Sequence, residues 1–143
     1  MKNRGYMLKT FLLGSFLTIS VWNLNAQVDT HKAVIDTGAN ILTVVNVIQP
    51  KGVGQDVILA YLQKGLNETM RYQPGFISAN IHKSLDNDNI IVYAQWKDQE
   101  SLQNAVKLIE NGGAPNMSYV FGNSIPDYHP YEVISVNLTS DSK

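Results

Sequence analysis

The amide of Asn46 is the first side chain along the sequence with the chemistry to hold a small molecule. It lies in Ile41–Gln49, a segment rich in β-branched residues that predicts a strand. Alternation along a strand places Asn46 on one face with three apolar residues, Leu42, Val44 and Ile48. An unpaired buried amide costs roughly 1–3 kcal/mol, so Asn46 is expected to bond either a ligand oxygen or a neighbouring side chain or water.

A predicted hairpin and the helix before it carry the other candidate residues. His82 carries an imidazole, the side chain most often used as a general base, although a histidine near a strand end is more often a surface residue. Tyr93 can orient a substrate oxygen or pack in an interface between sheets. Trp96 offers a flat apolar wall and one N–H donor, and it equally suits a core. Tyr61, on the preceding predicted helix, is a candidate for the wall of a binding cavity.

The hairpin is the clearest structural pattern in the chain. Residues 76–82 alternate with period two, which predicts a strand on which Phe76 shares a face with the polar residues. The run DNDN at positions 86–89 supplies turn chemistry, and Ile90–Trp96 is apolar enough to be a buried strand. Asp98 then predicts the N-cap of a second helix that ends near residue 111.

The remaining elements complete an alternating order. Four apolar residues recur at four-residue spacing in the helix predicted over residues 55–71: Ile58, Leu62, Leu66 and Met70. Residues 114–130 hold three prolines and predict a short helical turn or a packed loop, and Tyr131–Leu138 predicts the last strand. The order βαββαβ predicts an α+β, ferredoxin-like fold with an antiparallel four-stranded sheet. Helices on one face leave the other face bare, so we expect a second copy to cover it.

The N-terminal segment has the composition of an export signal. Three basic residues precede an apolar run that is too short for a stable membrane span, and the segment ends on small and polar residues at Ala26. We expect residues 1–26 to be a signal peptide, which would deliver a protein without a membrane anchor to the periplasm. An uncleaved N-terminal anchor is the alternative. Residues 27–39 are then a flexible lead-in, 40–138 the folded domain and 139–143 a tail.

Composition argues against several functional classes. The chain of 143 residues has no cysteine, which removes thiolate catalysis and cysteine-based metal sites, and its three histidines are scattered. Without residues 1–26 it has 8 basic and 12 acidic residues, a net charge of −4. It lacks the clustered positive charge that nucleic-acid binding requires. No glycine-rich phosphate loop is present, which disfavours a nucleotide cofactor.

Several short patterns, in this order, resemble the antibiotic biosynthesis monooxygenase (ABM) family. They are Pro74-Gly75-Phe76, His82-Lys83-Ser84, Tyr93-Ala94-Gln95-Trp96 with a charged helix start, and His129-Pro130-Tyr131-Glu132-Val133. The resemblance covers about residues 40–138. It implies a homodimer in which two sheets pair into a dimeric α+β barrel, with Trp96 lining a cavity between sheet and helices.

The resemblance also implies oxidation chemistry. ABM-like oxygenases oxidise phenols, quinols and anthrones without metal or flavin, so the expected partners are a small aromatic molecule and dioxygen, with no cofactor and no metal. Because a phenol must be deprotonated to react, His82 is expected to act as the general base. Asn46 and Trp96 are the other residues expected to be catalytic, and Tyr93 and Tyr61 are expected to bind substrate. Heme degradation is disfavoured, since residues 98–120 contain no histidine to act as axial ligand. The alternative is a non-catalytic, ligand-binding or stress-related dimer of the same fold.

Overall fold

The computed structural model describes residues 32–139, which contain four strands, three α-helices and one short 3-10 turn. In chain order these are β1 (Leu42–Pro50), α1 (Gln55–Glu68), the 3-10 turn Met70–Tyr72, β2 (Phe76–Lys83), β3 (Ile90–Trp96), α2 (Gln99–Glu110), α3 (Pro115–Gly122) and β4 (Ser124–Tyr131). No helix in this range is long and apolar enough to cross a membrane. The predicted signal peptide and the last four residues lie outside the described residues.

The four strands form one antiparallel sheet in the order β2-β3-β1-β4. This order places β1 and β3 in the centre and confirms the predicted ferredoxin-like arrangement. In it, each helical connection joins two strands that are consecutive in the chain but not adjacent in the sheet. Within one protomer the sheet is open and does not close into a barrel. The pairing of two sheets into a dimeric barrel therefore stays a prediction.

The helices pack against one face of the sheet, which we call the helix-covered face. Strand β1 contributes Val44 and Ile48 to the core, and β3 contributes Val92 and Trp96. All three helices add buried residues to the same cluster, including Ile58 of α1, Leu102 and Ala105 of α2 and Val120 of α3. The opposite face, which we call the open face, carries no helix and keeps apolar side chains such as Ile91 40% exposed. The fold thus separates a packed interior from an exposed sheet surface.

A β-bulge at the start of β2 changes the alternation that the sequence predicts. Phe76 pairs with Trp96 and Ser78 pairs with Gln95, so Ile77 is an extra residue in β2. As a result Phe76 lies on the helix-covered face, and Ile77 is 46% exposed. The prediction that Phe76 shares a face with the polar residues of β2 is therefore wrong.

The last strand was placed too late by the sequence pattern. Strand β4 spans Ser124–Tyr131, and the residues that follow it up to 139 have no regular secondary structure. Pro126 and Pro130 argued for a loop, but β4 is an edge strand that pairs only with β1. Proline is tolerated on an edge strand because its missing N–H removes no bond to a second neighbour. The helical part of the preceding prediction is confirmed by α3, which has proline in its first turn.

Asp98 caps helix α2 as predicted. Its side chain accepts hydrogen bonds from the Ser101 hydroxyl at 2.6 Å and from the Ser101 backbone N–H at 2.8 Å. These bonds lower the pKa of Asp98 below its ordinary value, since they favour the charged carboxylate. The contribution of this cap to stability is therefore complete above the unfolded-state pKa and is lost as the pH falls through the lower folded-state pKa.

Gly75 lies between the 3-10 turn Met70–Tyr72 and strand β2, which begins at Phe76. Its φ is +78°, a conformation that favours glycine, and its carbonyl accepts a hydrogen bond from Lys97 N at 2.8 Å. A Cβ atom at this position would lie 2.5 Å from Ser101 Cβ and closer still to Ser101 Oγ. The Pro-Gly-Phe pattern thus has a physical reason, because only glycine fits between the turn and the capped start of α2.

We expect Gly75→Ala to destabilise the domain by more than Gly112→Ala. Gly112 has nearly the same φ, +77°, but nothing lies within 4 Å of a Cβ placed there. The left-handed backbone alone costs about 1–2 kcal/mol, and overpacking at Gly75 adds about 1–3 kcal/mol. Urea unfolding of both variants measures the difference. Equal losses of stability would show that Ser101 accommodates the extra methyl group.

Candidate active site

The helix-covered face leaves a cavity of about 260 Å³ between the sheet and the helices. It is larger than the roughly 150 Å³ cavity that admits benzene and close to the lower limit of roughly 300 Å³ for ligand pockets. Most of its walls are apolar: Val44, Leu66, Met70, Phe76, Val92, Ala94, Trp96, Leu102, Ala105, Val106, Ile109, Met117, Phe121 and Pro126. Its polar lining residues are Asn46, Glu110 and Tyr128. The size and the walls suit a small aromatic ring system.

The amide of Asn46 is the distinctive polar group of this cavity. Strand register places Asn46 between Val92 on β3 and Tyr128 on β4, in the middle of the sheet. Its Oδ1 is buried and has no hydrogen-bond partner among residues 32–139. A buried acceptor without a donor is costly, and the terminal torsion of an asparagine is soft enough to turn toward a bound molecule. Asn46 is therefore positioned to accept a hydrogen bond from a ligand hydroxyl.

Trp96 forms an aromatic wall of the cavity together with Phe76. The two rings meet edge to face, with centroids 5.3 Å apart and planes at 86°. Trp96 is only 5% exposed, so it belongs to the core and to the cavity at once. The sequence left open whether Trp96 is a core residue or a cavity wall, and its position in the structure fits both descriptions.

The mouth of the cavity lies where its lining residues meet solvent. Tyr128 is 47% exposed, and Glu110 is exposed at the C-terminal end of α2. Pro126 of β4 also lines the cavity and is half-buried. A ligand can thus enter past these residues and reach Asn46, which sits across from Tyr128 in the sheet.

The structure does not bring the other predicted site residues into the cavity. Tyr93 lies between Val92 and Ala94 on β3, so it points to the open face, where its hydroxyl is 3.4 Å from Thr43 Oγ1. His82 is exposed beside a separate shallow pocket at the far end of β2 and β3. Within one protomer His82 and Tyr93 therefore do not line the cavity that holds Asn46 and Trp96, and their roles in catalysis and substrate binding stay predictions.

Tyr61 also lies away from the cavity. It is 36% exposed on α1 and stacks on Tyr119 of α3, with ring centroids 3.8 Å apart. This contact packs α1 against α3. Tyr61 is thus placed to stabilise the packing of α1 on α3, and it is absent from the lining of the cavity.

Two polar residues of the cavity were missed by sequence reasoning. Tyr128 was missed because the last strand was placed after it, although its position opposite Asn46 follows directly once β4 is known. Glu110 had a signal in the sequence, since it follows Val106 by four residues and therefore extends the apolar stripe of α2.

Comparisons with known proteins agree with this geometry. A profile of the antibiotic biosynthesis monooxygenase family matches residues 41–108, from β1 into α2. Tetracenomycin-F1 monooxygenase from Streptomyces glaucescens is 31% identical over 67 residues, which cover 47% of this chain. The matched part spans 60% of that relative's own length.

Solved structures share the fold. SnoaB from Streptomyces nogalater, described as a cofactor-independent oxygenase, aligns in a variant form with a TM-score of 0.58 and 18% identity over 68% of this chain and 97% of its own. An anthrone oxidase-like protein aligns with a TM-score of 0.59 and 21% identity over 72% of this chain and 48% of its own. At these identities the likeness is one of fold. The family profile over residues 41–108, the curated relative and the fold agree, and this part of the chain is similar to the antibiotic biosynthesis monooxygenase family.

Proposed function

We propose that this protein is an exported monooxygenase that oxidises a small phenol- or quinol-type aromatic molecule with dioxygen, without a metal or an organic cofactor. The observation that carries the proposal is the unpaired Oδ1 of Asn46 in a mostly apolar cavity beside Trp96. Such a site holds a flat ring and accepts one hydrogen bond from it. Two relatives support the proposal, since one is named a monooxygenase and the other a cofactor-independent oxygenase.

The proposed reaction converts a ring CH₂ group, which is present in an anthrone or in the keto tautomer of a phenol or hydroquinone, into a carbonyl. One atom of dioxygen becomes the carbonyl oxygen, and the other leaves as water with the two hydrogens of the methylene group. The substrate supplies all four electrons that reduce the dioxygen, so no external reductant is required. The role of the protein is to hold the substrate in an oxygen-accessible, water-poor space.

Within the cavity, each residue has a limited and defined part in this reaction. Asn46 accepts a hydrogen bond from a substrate hydroxyl and fixes the orientation of the ring. Trp96 and Phe76 hold the ring faces and exclude water. His82 lies outside this cavity in one protomer, so we place no proton-transfer step on it.

Oxygen uptake tests the proposed function. The protein without residues 1–26 is incubated with hydroquinones and anthrones in buffer treated with a metal chelator, and an oxygen electrode records consumption above the uncatalysed rate. The proposal expects catalysed uptake with at least one of these substrates and no loss of rate on chelation. Uptake that requires added metal or flavin would refute the cofactor-independent reaction.

A non-catalytic ligand-binding protein is the second candidate function. One observation favours it: the residues that line the cavity in the described part of the chain include no histidine, lysine or arginine. A cavity without these groups has fewer means to remove a substrate proton. Tight binding of phenols without any oxygen consumption would select this function over oxidation.

We propose that the chain forms a homodimer through the open face. Val45 and Val47 lie at the centre of that face beside the exposed Ile91, and a soluble domain rarely leaves such a surface uncovered. Sedimentation should give a mass twice that of residues 27–143. Val45→Lys should produce monomers, whereas Val57→Lys, on the exposed side of α1, should not. A monomeric wild-type protein at micromolar concentration would contradict the dimer.

Export is part of the proposal and rests on the sequence alone. The three basic residues, the short apolar run and the small residues that end at Ala26 support it. Sequencing the N-terminus of protein from a periplasmic fraction should give Gln27 as the first residue. An intact Met1 in a membrane fraction would show that the segment is an anchor.

A further inference from the structure

The position of Glu110 is unfavourable for the helix that carries it. Glu110 is the last residue of α2, where the unpaired carbonyl groups give the helix a partial negative charge. A negative side chain is disfavoured there, whereas Lys107, in the same turn, is the charge that the helix end favours. Helix stability therefore does not explain the acid at this position, which is also a lining residue of the cavity.

The mouth of the cavity is consequently negative from two sources. Glu110 is the one acidic residue that lines the cavity in the described part of the chain, and no basic residue lines it. The C-terminal end of α2 adds its partial negative charge at the same place. Inside the mouth the remaining polar groups, Asn46 and Tyr128, carry no net charge, so nothing in the cavity compensates an anionic ligand.

We infer that Glu110 makes the cavity selective for uncharged hydroxyl-bearing aromatic molecules and excludes those that carry a carboxylate. This inference rests on the proposed function, because it takes the cavity as the substrate site. The ligand places one hydroxyl at Asn46 and a second hydrogen-bond donor, such as another hydroxyl, toward Glu110. The substrate class is therefore a neutral diphenol or hydroxylated polycyclic ring rather than an aromatic acid.

Binding of a matched ligand pair tests the inference. A hydroxynaphthamide and the hydroxynaphthoate of the same substitution pattern have almost the same shape and differ in charge. Calorimetry on the dimer should show that the wild-type protein binds the amide about five-fold more tightly, the effect of one exposed charge at close range. Glu110→Gln should remove most of this preference, and raising the salt concentration should reduce it in the wild type.

Glu100→Gln is the matched control, since Glu100 is an acid on the same helix that does not line the cavity. It should keep the wild-type preference for the amide. Equal affinities in the wild type, or a preference that survives Glu110→Gln, would overturn the inference. If Asn46→Leu still weakens both ligands in that case, the cavity remains the binding site and only the selectivity is wrong. If neither ligand binds the wild type, both the inference and the proposed site are overturned.

Discussion

Asn46→Leu should weaken the binding of a hydroxyl-bearing aromatic ligand by about 1–3 kcal/mol, which is roughly a 5- to 150-fold increase in Kd. The variant removes the one amide whose oxygen is buried and unpaired in the cavity wall, and leucine suits the apolar surroundings. The same change should therefore leave the free energy of unfolding of the empty protein equal to or above that of the wild type. Lower affinity with equal or greater stability is the pattern of a binding residue. Trp96 fluorescence measures the first quantity and urea unfolding the second.

Thr43→Val is the control for this prediction. Thr43 lies on the same strand as Asn46 but on the open face, near Tyr93. It should leave ligand affinity unchanged, because its side chain does not line the cavity. If Asn46→Leu unfolds the domain and keeps the affinity of the folded molecules, Asn46 is a structural amide and has no part in ligand binding.

Trp96→Ala should lower the free energy of unfolding by about 3–5 kcal/mol, because it removes a large core side chain. Trp96 is 5% exposed and supports Phe76 by an edge-to-face contact. The cavity would also lose its flat wall, so ligand binding should fall below detection. Circular dichroism in urea follows unfolding without the tryptophan signal, and calorimetry follows the ligand.

Trp96→Phe separates the two roles of this residue. Phenylalanine keeps an aromatic wall and removes the indole N–H, so it should recover most of the stability and part of the ligand affinity. A Trp96→Ala protein that stays as stable as the wild type and still binds aromatic ligands would show that Trp96 neither supports the core nor lines the binding site.

The order of elements and the central strand could be predicted because local patterns determine them. The strand Ile90–Trp96 and the cap at Asp98 are confirmed, and so is the apolar face that Asn46 shares with Val44 and Ile48. The bulge at Ile77 was not predictable from alternation, since it depends on pairing Phe76 with Trp96 across the hairpin. Strand β4 was misplaced because the two prolines near its ends indicate a loop unless the strand is known to be at the sheet edge.

The candidate site was predictable only where one strand face defines it. Asn46 and Trp96 were found because alternation puts both on the helix-covered face. His82 and Tyr93 were selected for their chemistry, but alternation along β2 and β3 places both side chains on the open face. Tyr128 joins the cavity through the long-range pairing of β4 with β1, which leaves no local trace in the sequence.

Isotopically labelled dioxygen gives the most direct test of cofactor-independent monooxygenation. The protein without residues 1–26, freed of metal and flavin, is incubated with an anthrone or a hydroquinone that supports oxygen uptake, and mass spectrometry follows the product. The account predicts that each turnover places one labelled oxygen atom in the product and releases the other as water, and that Asn46→Leu slows this incorporation. Product oxygen that comes from labelled water instead of dioxygen, or a reaction that proceeds equally without the protein, would contradict it.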